Sequence, residues 1–389
     1  MTSRRTFLAA SAAALAAPSL SWARAATERR LVVVVLRGGV DGLSLLPPHG
    51  DPDYAPARRK LAIPAPGGGK GAALPVSDLL GLHPALPTVA AMYAAGEARL
   101  LHAVGWPGTA RSHFEAQDLL EGGGPLPRSQ RTGWLGRALQ ALGSPPPSAA
   151  VGAGMPLLLR GSVGATVVDP GLQVTDRLHL MAQLPALYAG DPALSAALSQ
   201  SVRTGELLAQ LPEAEGSRRR GRMAGLRAFG AATAAVLTEP GGARVVVVDV
   251  GGWDTHAGQQ NTLSKRFAAL DTGLAGLRDG MGALWAETAV IVVTEFGRTV
   301  EANGTGGTDH GTGAASLLLG GAVRGGVHAD WPGLAASARQ DGRDLRPTTD
   351  LRAVFKGLLR DHLGVPSRAL ASSIFPESDA IKPLGGLIG

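Results

Sequence analysis

The chain has 389 residues, of which 45% are hydrophobic and 17% charged, a composition that allows a large apolar core. Its formal net charge is +6, but Arg4, Arg5 and Arg24 lie among the first 25 residues, which hold no acid, so the remainder carries +3. This small, evenly spread charge gives no support for a nucleic-acid partner, and we predict none. The lack of cysteine excludes disulfides, thiolate metal ligands and cysteine nucleophiles.

The N-terminus has the pattern of an export signal. Arg4 and Arg5 precede a short apolar run, Ala9–Ala17, and Ala23–Ala25 has the small-x-small pattern of a cleavage site. We therefore predict a twin-arginine signal peptide at residues 1–25, recognised by the twin-arginine translocase, and a periplasmic or secreted mature protein. The apolar run is far shorter than the about 20 residues that span a bilayer, so no stable membrane span is expected.

The rest of the chain alternates between strand and helix patterns. The strongest strands are apolar, β-branched runs that end in polar residues: Leu31–Leu36, Arg244–Val250 and Ala289–Thr294. Weaker strand candidates are Leu100–Val104 and Ser316–Leu319. The helical patterns are Pro84–Glu97, Ser112–Glu121, Leu184–Phe229 with breaks, and Asn261–Glu287. This alternation predicts an α/β fold with a mainly parallel central sheet and helices on both faces.

Residues 26–389 are predicted to form a single α/β domain with loop insertions. Pro47–Ser77 is rich in Pro, Gly and basic residues and is interpreted as an extended surface excursion. Glu213–Arg222 is charged and is interpreted as an exposed connector. Neither segment has the length or composition of a flexible linker between domains.

Ligand-type and charged side chains follow successive predicted strands: Asp41, Asp254, His256, Glu295, Arg298, Asp309 and His310. The carboxyl ends of parallel strands meet at one edge of a sheet, where ligands bind. Carboxylates and imidazoles suit Zn²⁺, Mn²⁺ or Mg²⁺, so we predict a divalent metal site. Each position alone also fits a turn or a helix cap, and the repetition at strand ends is what favours metal binding.

Ser112 has two compatible interpretations, because it immediately precedes a helical pattern. Ser112 and Glu115 form an S-x-x-E capping-box sequence. The start of a helix also favours a phosphate or a developing alkoxide, and a nearby metal would turn the hydroxyl into a nucleophile. The residues alone leave open whether Ser112 caps the helix, acts as a nucleophile, or does both.

Several longer sequences carry a family resemblance: RGGVDG, LHPALPTVAAMYAAGEARLLHAVG, RSHFEAQDLLEGG, GGWDTH, TEFGRT and DHGTG. In this order they resemble the exported bacterial family catalogued as domain of unknown function 1501. That family is grouped with the alkaline phosphatase-like superfamily. The resemblance implies a mixed, mainly parallel sheet between helices, a two-metal centre, and hydrolysis of phosphate or sulfate esters or phosphoryl transfer.

The resemblance also implies roles for individual residues. Asp41 matches the first-strand metal-binding aspartate of the superfamily, and Ser112 is the best match to its nucleophile. Asp254 and His256 resemble the ligand pair of one metal, and His310 resembles the late histidine ligand of that same metal.

One position departs from the superfamily pattern. Glu295 stands where the superfamily has an Asp followed by a His, and the follower here is Phe296, so the second metal has one imidazole fewer. A second alignment places Asp309-His310-Gly311 on that Asp-His-Gly sequence. The C/S-x-P-x-R sequence of formylglycine sulfatases is absent, so a sulfatase of that type is not expected.

The first functional hypothesis is an exported, metal-dependent hydrolase of small anionic phosphate or related esters. In it Ser112 attacks, the metals stabilise the attacking and leaving oxygens, and Arg298 or Arg111 clamps the anion. The alternative is a non-catalytic exported binding or assembly protein that keeps the fold and part of the metal site and works with another exported protein. A third possibility, association with cell-surface polysaccharide, rests on location alone.

Overall fold

A computed structural model describes residues 28–106, 108, 110–162, 164–169, 184–191, 195, 198–199 and 222–389. The predicted signal peptide at residues 1–25 lies outside these residues, as does nearly all of the predicted connector. Within the described ranges, no helix combines the length and hydropathy needed to cross a membrane.

The strands are β1 Arg30–Arg37, β2 Leu74–Pro75, β3 Gly81–Leu82, β4 Ala98–Gly105, β5 Ser148–Val151, β6 Thr166–Val168, β7 Val245–Gly251, β8 Thr288–Val293, β9 Ala314–Leu319, β10 Gly326–His328 and β11 Thr349–Asp350. The helices are α1 Gly42–Leu45, α2 Tyr54–Arg58, α3 Pro87–Ala94, α4 His113–Gly122, α5 Trp134–Ala141, α6 Arg222–Thr238, α7 Gln259–Met281, α8 Leu351–Asp361 and α9 Ser367–Ala369. Each of the strands predicted from the sequence is present, including the two weaker candidates.

Nine strands of the described part of the chain form one sheet, in the order β10-β4-β9-β8-β1-β7-β5-β6, with β11 also paired to β4. Every neighbouring pair is parallel except the two that involve β9. Because β9 runs the opposite way, its first residue, Ala314, lies at the edge where the parallel strands end. The loop before β9 therefore meets the loops that follow β1, β7 and β8.

The central strand β1 explains why its sequence is apolar without interruption. Successive side chains of a strand point to opposite faces of the sheet. Val32 and Val34 pack into one core with α3, α6 and α7, whereas Leu31 and Val33 pack into a second core with α4, α5 and α8. All four side chains are fully buried. Both faces are thus covered by helices, and the predicted fold class is confirmed.

The segment Pro47–Ser77 is only partly the surface excursion that its composition predicts. Its short helix α2 buries Tyr54 and Arg58, which are 2% and 0% exposed. Tyr54 packs in a third, smaller core and its hydroxyl donates to the carbonyl of Leu43. The packing of Tyr54 thus holds this segment against the end of β1, where Arg58 forms an ion pair with Asp41.

Three buried histidines make the fold sensitive to acid. Burial lowers the pKa of His83, His102 and His362 to about 4. The unfolded chain binds these protons near pH 6.5, so the stability they contribute is complete above that pH and is lost as the pH falls toward 4. Each histidine steepens the loss by up to about 1.4 kcal/mol per pH unit.

We expect urea unfolding, measured with a chelator at pH 7, 6 and 5, to show this loss. His362→Gln keeps an N–H donor for the Arg30 carbonyl, which His362 Nε2 contacts at 2.8 Å, and should flatten the pH dependence. An equally steep dependence in the variant would contradict the assignment to buried histidines.

Candidate metal centre

Three histidines and one aspartate meet at the edge where the parallel strands end. His113 begins α4, Asp254 and His256 follow β7, and His310 precedes β9. Ligand atoms of His113, Asp254 and His310 lie within 4.8 Å of one another. Nε2 of His256 is 3.0 Å from Asp254 Oδ1 and 3.1 Å from His310 Nε2. The structure therefore brings together three of the predicted ligands and adds His113.

An oxygen atom lies at hydrogen-bond distance from Nδ1 of each imidazole. The distances are 2.9 Å from His113 to Glu295 Oε1, 3.1 Å from His256 to Asp309 Oδ1 and 2.8 Å from His310 to the Arg111 carbonyl. Such acceptors hold the proton on Nδ1 and leave a lone pair on Nε2, the arrangement of metal-binding histidines. Glu295 and Asp309, predicted as ligands, are placed here to orient imidazoles.

The Nε2 atoms of this cluster fit a divalent cation. With Nδ1 protonated in both rings, the Nε2 atoms of His256 and His310 face each other with two lone pairs that repel unless a cation lies between them. Nε2 of His113 is buried and has no hydrogen-bond partner among the described residues. It lies 3.4 Å from Asp254 Oδ2. Imidazole nitrogens with a carboxylate oxygen are a typical donor set for Zn²⁺ and also suit Mn²⁺.

The cluster is open to solvent. The side chains of Asp254 and His256 are 41% and 46% exposed, and that of His310 is 23% exposed. Structural metal sites are closed by protein ligands, whereas catalytic sites keep a position for water or substrate. The exposure therefore favours a site that also accepts a second molecule.

The two central carboxylates are ionised. Burial acts to raise the pKa of Asp254, but the hydrogen bond and charge of Arg298 outweigh it and lower that pKa. Burial likewise opposes ionisation of Glu295, and the hydrogen bonds from His113 and the Gly38 N–H lower its pKa. The same hydrogen bond to Glu295 raises the pKa of His113.

Arg298 connects three loops of the site. Its side chain is 1% exposed and donates to the carbonyls of Gly38 and Gly39, both at 2.6 Å, and of Thr308 at 3.0 Å. It also donates to Asp254 Oδ1 at 2.5 Å. Arg298 therefore holds Asp254 in place and favours its ionised form. The anion-clamping role predicted for Arg298 stays a prediction, and the burial of this side chain disfavours it.

Arg111 is held by a neighbouring turn. Its guanidinium pairs with Asp341 at 2.8 Å and with the fully buried Asp344 at 2.7 Å. Its carbonyl accepts from His310, so the pairing fixes the chain beside the cluster. A direct contact of Arg111 with an anion stays a prediction.

Ser112 occupies the position before α4, but its hydroxyl makes no capping hydrogen bond. The predicted capping box with Glu115 is therefore wrong. Both side chains are exposed, so water can supply their hydrogen bonds instead. Ser112 lies between Arg111, whose carbonyl contacts His310, and His113, which belongs to the cluster. Its hydroxyl is thus close in sequence to the site, and its role as a nucleophile stays a prediction.

Sequence reasoning missed His113, Gln117 and the use made of Phe296. His113 and Gln117 are four positions apart on α4 and so share a helix face, and both contact Glu295, Gln117 at 3.2 Å. That spacing was the available signal. The ring of Phe296 packs against His113 and His310, with ring centroids 4.9 and 4.8 Å apart. The residue that departs from the superfamily pattern thus supports two imidazoles.

Asp41 lies outside the cluster of histidines and Asp254. It caps α1 by accepting from the Leu43 N–H, is 1% exposed, and forms an ion pair with Arg58. The hydrogen-bond partners of its carboxylate among the described residues are Leu43, Ser44, Arg58 and Gln259, none of which belongs to the cluster.

Fold and geometry thus define an α/β protein with an open histidine- and aspartate-lined site at one edge of a mainly parallel sheet. Residues 80–356, more than half of the chain, match the family described as "Protein of unknown function (DUF1501)", and the chain belongs to this family. No curated protein shows a match to the chain.

Three solved structures with a similar fold are distant from this chain in sequence. A phosphonate monoester hydrolase of Agrobacterium radiobacter is 13% identical, with a TM-score of 0.42 over 87% of this chain and 74% of the other. The C-terminal periplasmic domain of EcEptC from Escherichia coli, in complex with Zn, is 11% identical, with a TM-score of 0.39 over 75% and 73%. A protein in the alkaline phosphatase superfamily from Vibrio parahaemolyticus is 10% identical, with a TM-score of 0.39 over 78% and 63%. Similarities of this size say nothing about activity.

Proposed function

We propose that this protein is a metal-dependent hydrolase of phosphate or related esters that works outside the cytoplasm. The observation that carries the proposal is the cluster itself: three imidazoles, each with Nδ1 at hydrogen-bond distance from an oxygen, place Nε2 within 3.4 Å of a carboxylate oxygen of Asp254 in an open site. The export pattern of residues 1–25 supports the location.

His113, Asp254, His256 and His310 would hold the cation. When bound, a divalent cation supplies a Lewis acid for an ester oxygen. Glu295 and Asp309 keep Nδ1 of two of the imidazoles protonated, and Arg298 keeps Asp254 ionised.

Ser112 is the proposed nucleophile, since it is exposed at the start of α4. The first turn of a helix has unpaired N–H groups and a partial positive charge, which stabilise an anion. Ser112 Oγ would bond to phosphorus as the bond to the leaving alkoxide breaks, the hydroxyl proton passing to solvent. Water would then hydrolyse the phosphoserine and regenerate the hydroxyl.

The experiment uses residues 26–389 loaded with Zn²⁺, Mn²⁺ or Mg²⁺ and assayed with an aryl phosphate, an aryl phosphate diester and an aryl sulfate. We expect Ser112→Ala to lower kcat at least about 100-fold at unchanged metal content, as loss of a nucleophile does. Ser372→Ala, which changes another exposed serine whose hydroxyl donates to the Arg368 carbonyl, is the matched control and should keep wild-type turnover.

Wild-type turnover by Ser112→Ala would refute the nucleophile. Tight metal binding with no turnover of any ester would instead support the non-catalytic binding or assembly protein.

A further inference from the structure

The carboxylate of Asp41 already receives hydrogen bonds from four donors. Its Oδ1 accepts from the Leu43 N–H at 3.1 Å, and its Oδ2 accepts from Ser44 Oγ at 2.7 Å. Gln259 Nε2, at 2.5 Å, and Arg58 Nη2 also donate to Oδ2. Three of these four donors converge on Oδ2, and Oδ1 keeps only one acceptor position without a donor.

Moving any of these donors away from Asp41 would be energetically unfavourable. Arg58 and Gln259 are 0% exposed and Ser44 is 5% exposed, so no solvent replaces a lost contact. A buried donor left without a partner is unfavourable, and a buried charge left unpaired is more so. A cation that took the place of one of these donors would leave such an unpaired group.

The charge at Asp41 is already neutralised. The side chains of Arg58 and Asp41 are 0% and 1% exposed, and Arg58 also donates to the carbonyls of Thr299 and Val300 at 3.2 and 3.3 Å. A divalent ion beside this guanidinium would meet a repulsion that solvent barely screens. The guanidinium is itself the cation at this position.

Glu295, the other carboxylate that the resemblance implies for a second metal, is occupied as well. Its Oε1 lies 2.8 Å from the Gly38 N–H, 2.9 Å from His113 Nδ1 and 3.2 Å from Gln117 Nε2. The Thr294 hydroxyl lies 3.0 Å from Oε2, but its single hydrogen also has the Leu36 carbonyl as an acceptor at 2.7 Å. Both carboxylates are thus held mainly by donors of the protein itself.

From these contacts we infer that the site takes one divalent cation per chain, at Asp254 and the three histidines, and that Arg58 replaces a second. Asp41 is then a positioning residue. Gln259, which donates to Asp41, accepts from the hydroxyls of Thr255 and Thr308 at 2.9 and 2.7 Å. These threonines adjoin Asp254 and Asp309, so the network holds both ligand loops.

The inference rests on the proposed metal site, and metal stoichiometry tests it without substrate. Residues 26–389 are saturated with Zn²⁺ or Mn²⁺, dialysed, and analysed by elemental mass spectrometry. We expect one equivalent in the wild type and still one in Asp41→Asn, with affinity lowered by up to about 10-fold. Because Asp41→Asn leaves Arg58 unpaired, the double variant Asp41→Asn/Arg58→Met provides a second test and should also bind one equivalent.

Two equivalents in the wild type, with one lost in either variant, would overturn the inference and leave the proposed hydrolase standing. One equivalent retained in the variants, with no ester hydrolysed by the wild type, would support the inference and overturn the hydrolase. A wild type without bound metal would overturn both.

Discussion

Replacing Asp254 with Asn removes the bound cation: we expect the metal content of residues 26–389 to fall below about a tenth of the wild-type value, and ester hydrolysis to fall with it. Oδ1 of Asp254 lies within 3.2 Å of Nε2 of both His256 and His310 and is the charged oxygen at the centre of the cluster. The amide that replaces it has no charge to attract the ion. Elemental mass spectrometry and dye-competition titration measure the loss.

Asp249→Asn is the matched control for this prediction. Asp249 is a part-exposed carboxylate of β7 that pairs with Arg37 at 2.5 Å and lies outside the metal group. It should keep its metal. Glu295→Gln should fall between the two, with affinity lowered about 10- to 100-fold, because it keeps an acceptor oxygen for His113 but removes the negative charge behind that imidazole. Wild-type affinity in Asp254→Asn would contradict the assigned centre.

Substituting Gly38 with Ala is expected to lower the free energy of unfolding by about 3 kcal/mol or more. A Cβ at this position would lie 2.4 Å from the backbone nitrogen of Asp254 and 2.9 Å from the carbonyl carbon of Trp253. The backbone also has φ +123° there, a conformation that side chains disfavour. The end of β1 and the loop after β7 can approach this closely only without a side chain.

Urea unfolding and metal titration of Gly38→Ala test both consequences, since displacement of Asp254 should also weaken metal binding. Gly251→Ala is the control, because a Cβ there meets no atom within 4 Å and φ is not positive. We expect it to stay within about 1 kcal/mol of the wild type. Equal stability of the two variants would show that the close approach at Gly38 is not needed.

The sheet could be predicted because its strands are long apolar runs with one physical explanation. Val32 and Val34 face one core and Leu31 and Val33 the other, so the sequence shows no alternation and indicates a strand covered on both faces. The shared edge then followed from topology. Asp254, His256 and His310 lie within hydrogen-bond distance of one another at that edge, and their role as metal ligands stays a prediction.

Which side chains face the metal position and which contact only the imidazoles could not be predicted, because this depends on side-chain orientation. Glu295 and Asp309 have the chemistry of ligands, yet their hydrogen bonds to imidazoles place them behind His113 and His256. A carboxylate serves either purpose, and spacing does not distinguish them.

The ion pair between Asp41 and Arg58 could not be predicted for a different reason. Arg58 lies in a stretch rich in Pro and Gly, whose composition indicates a surface loop. Its burial follows from the packing of Tyr54 in a small core with Leu43, Val300 and Leu345, far apart in the chain. Such long-range packing leaves no periodic pattern in the sequence.

The chain order of the ligands sets when the centre can form. The hydrogen bond between His310 and the Arg111 carbonyl joins residues 199 positions apart, and Asp254 reaches the cluster from a third segment. Contacts across such separations close large loops and form late in folding. During refolding, the uptake of a coloured or fluorescent metal probe would therefore mark the completion of the sheet, and a nascent or truncated chain lacking the loop before β9 would leave the ion in solution.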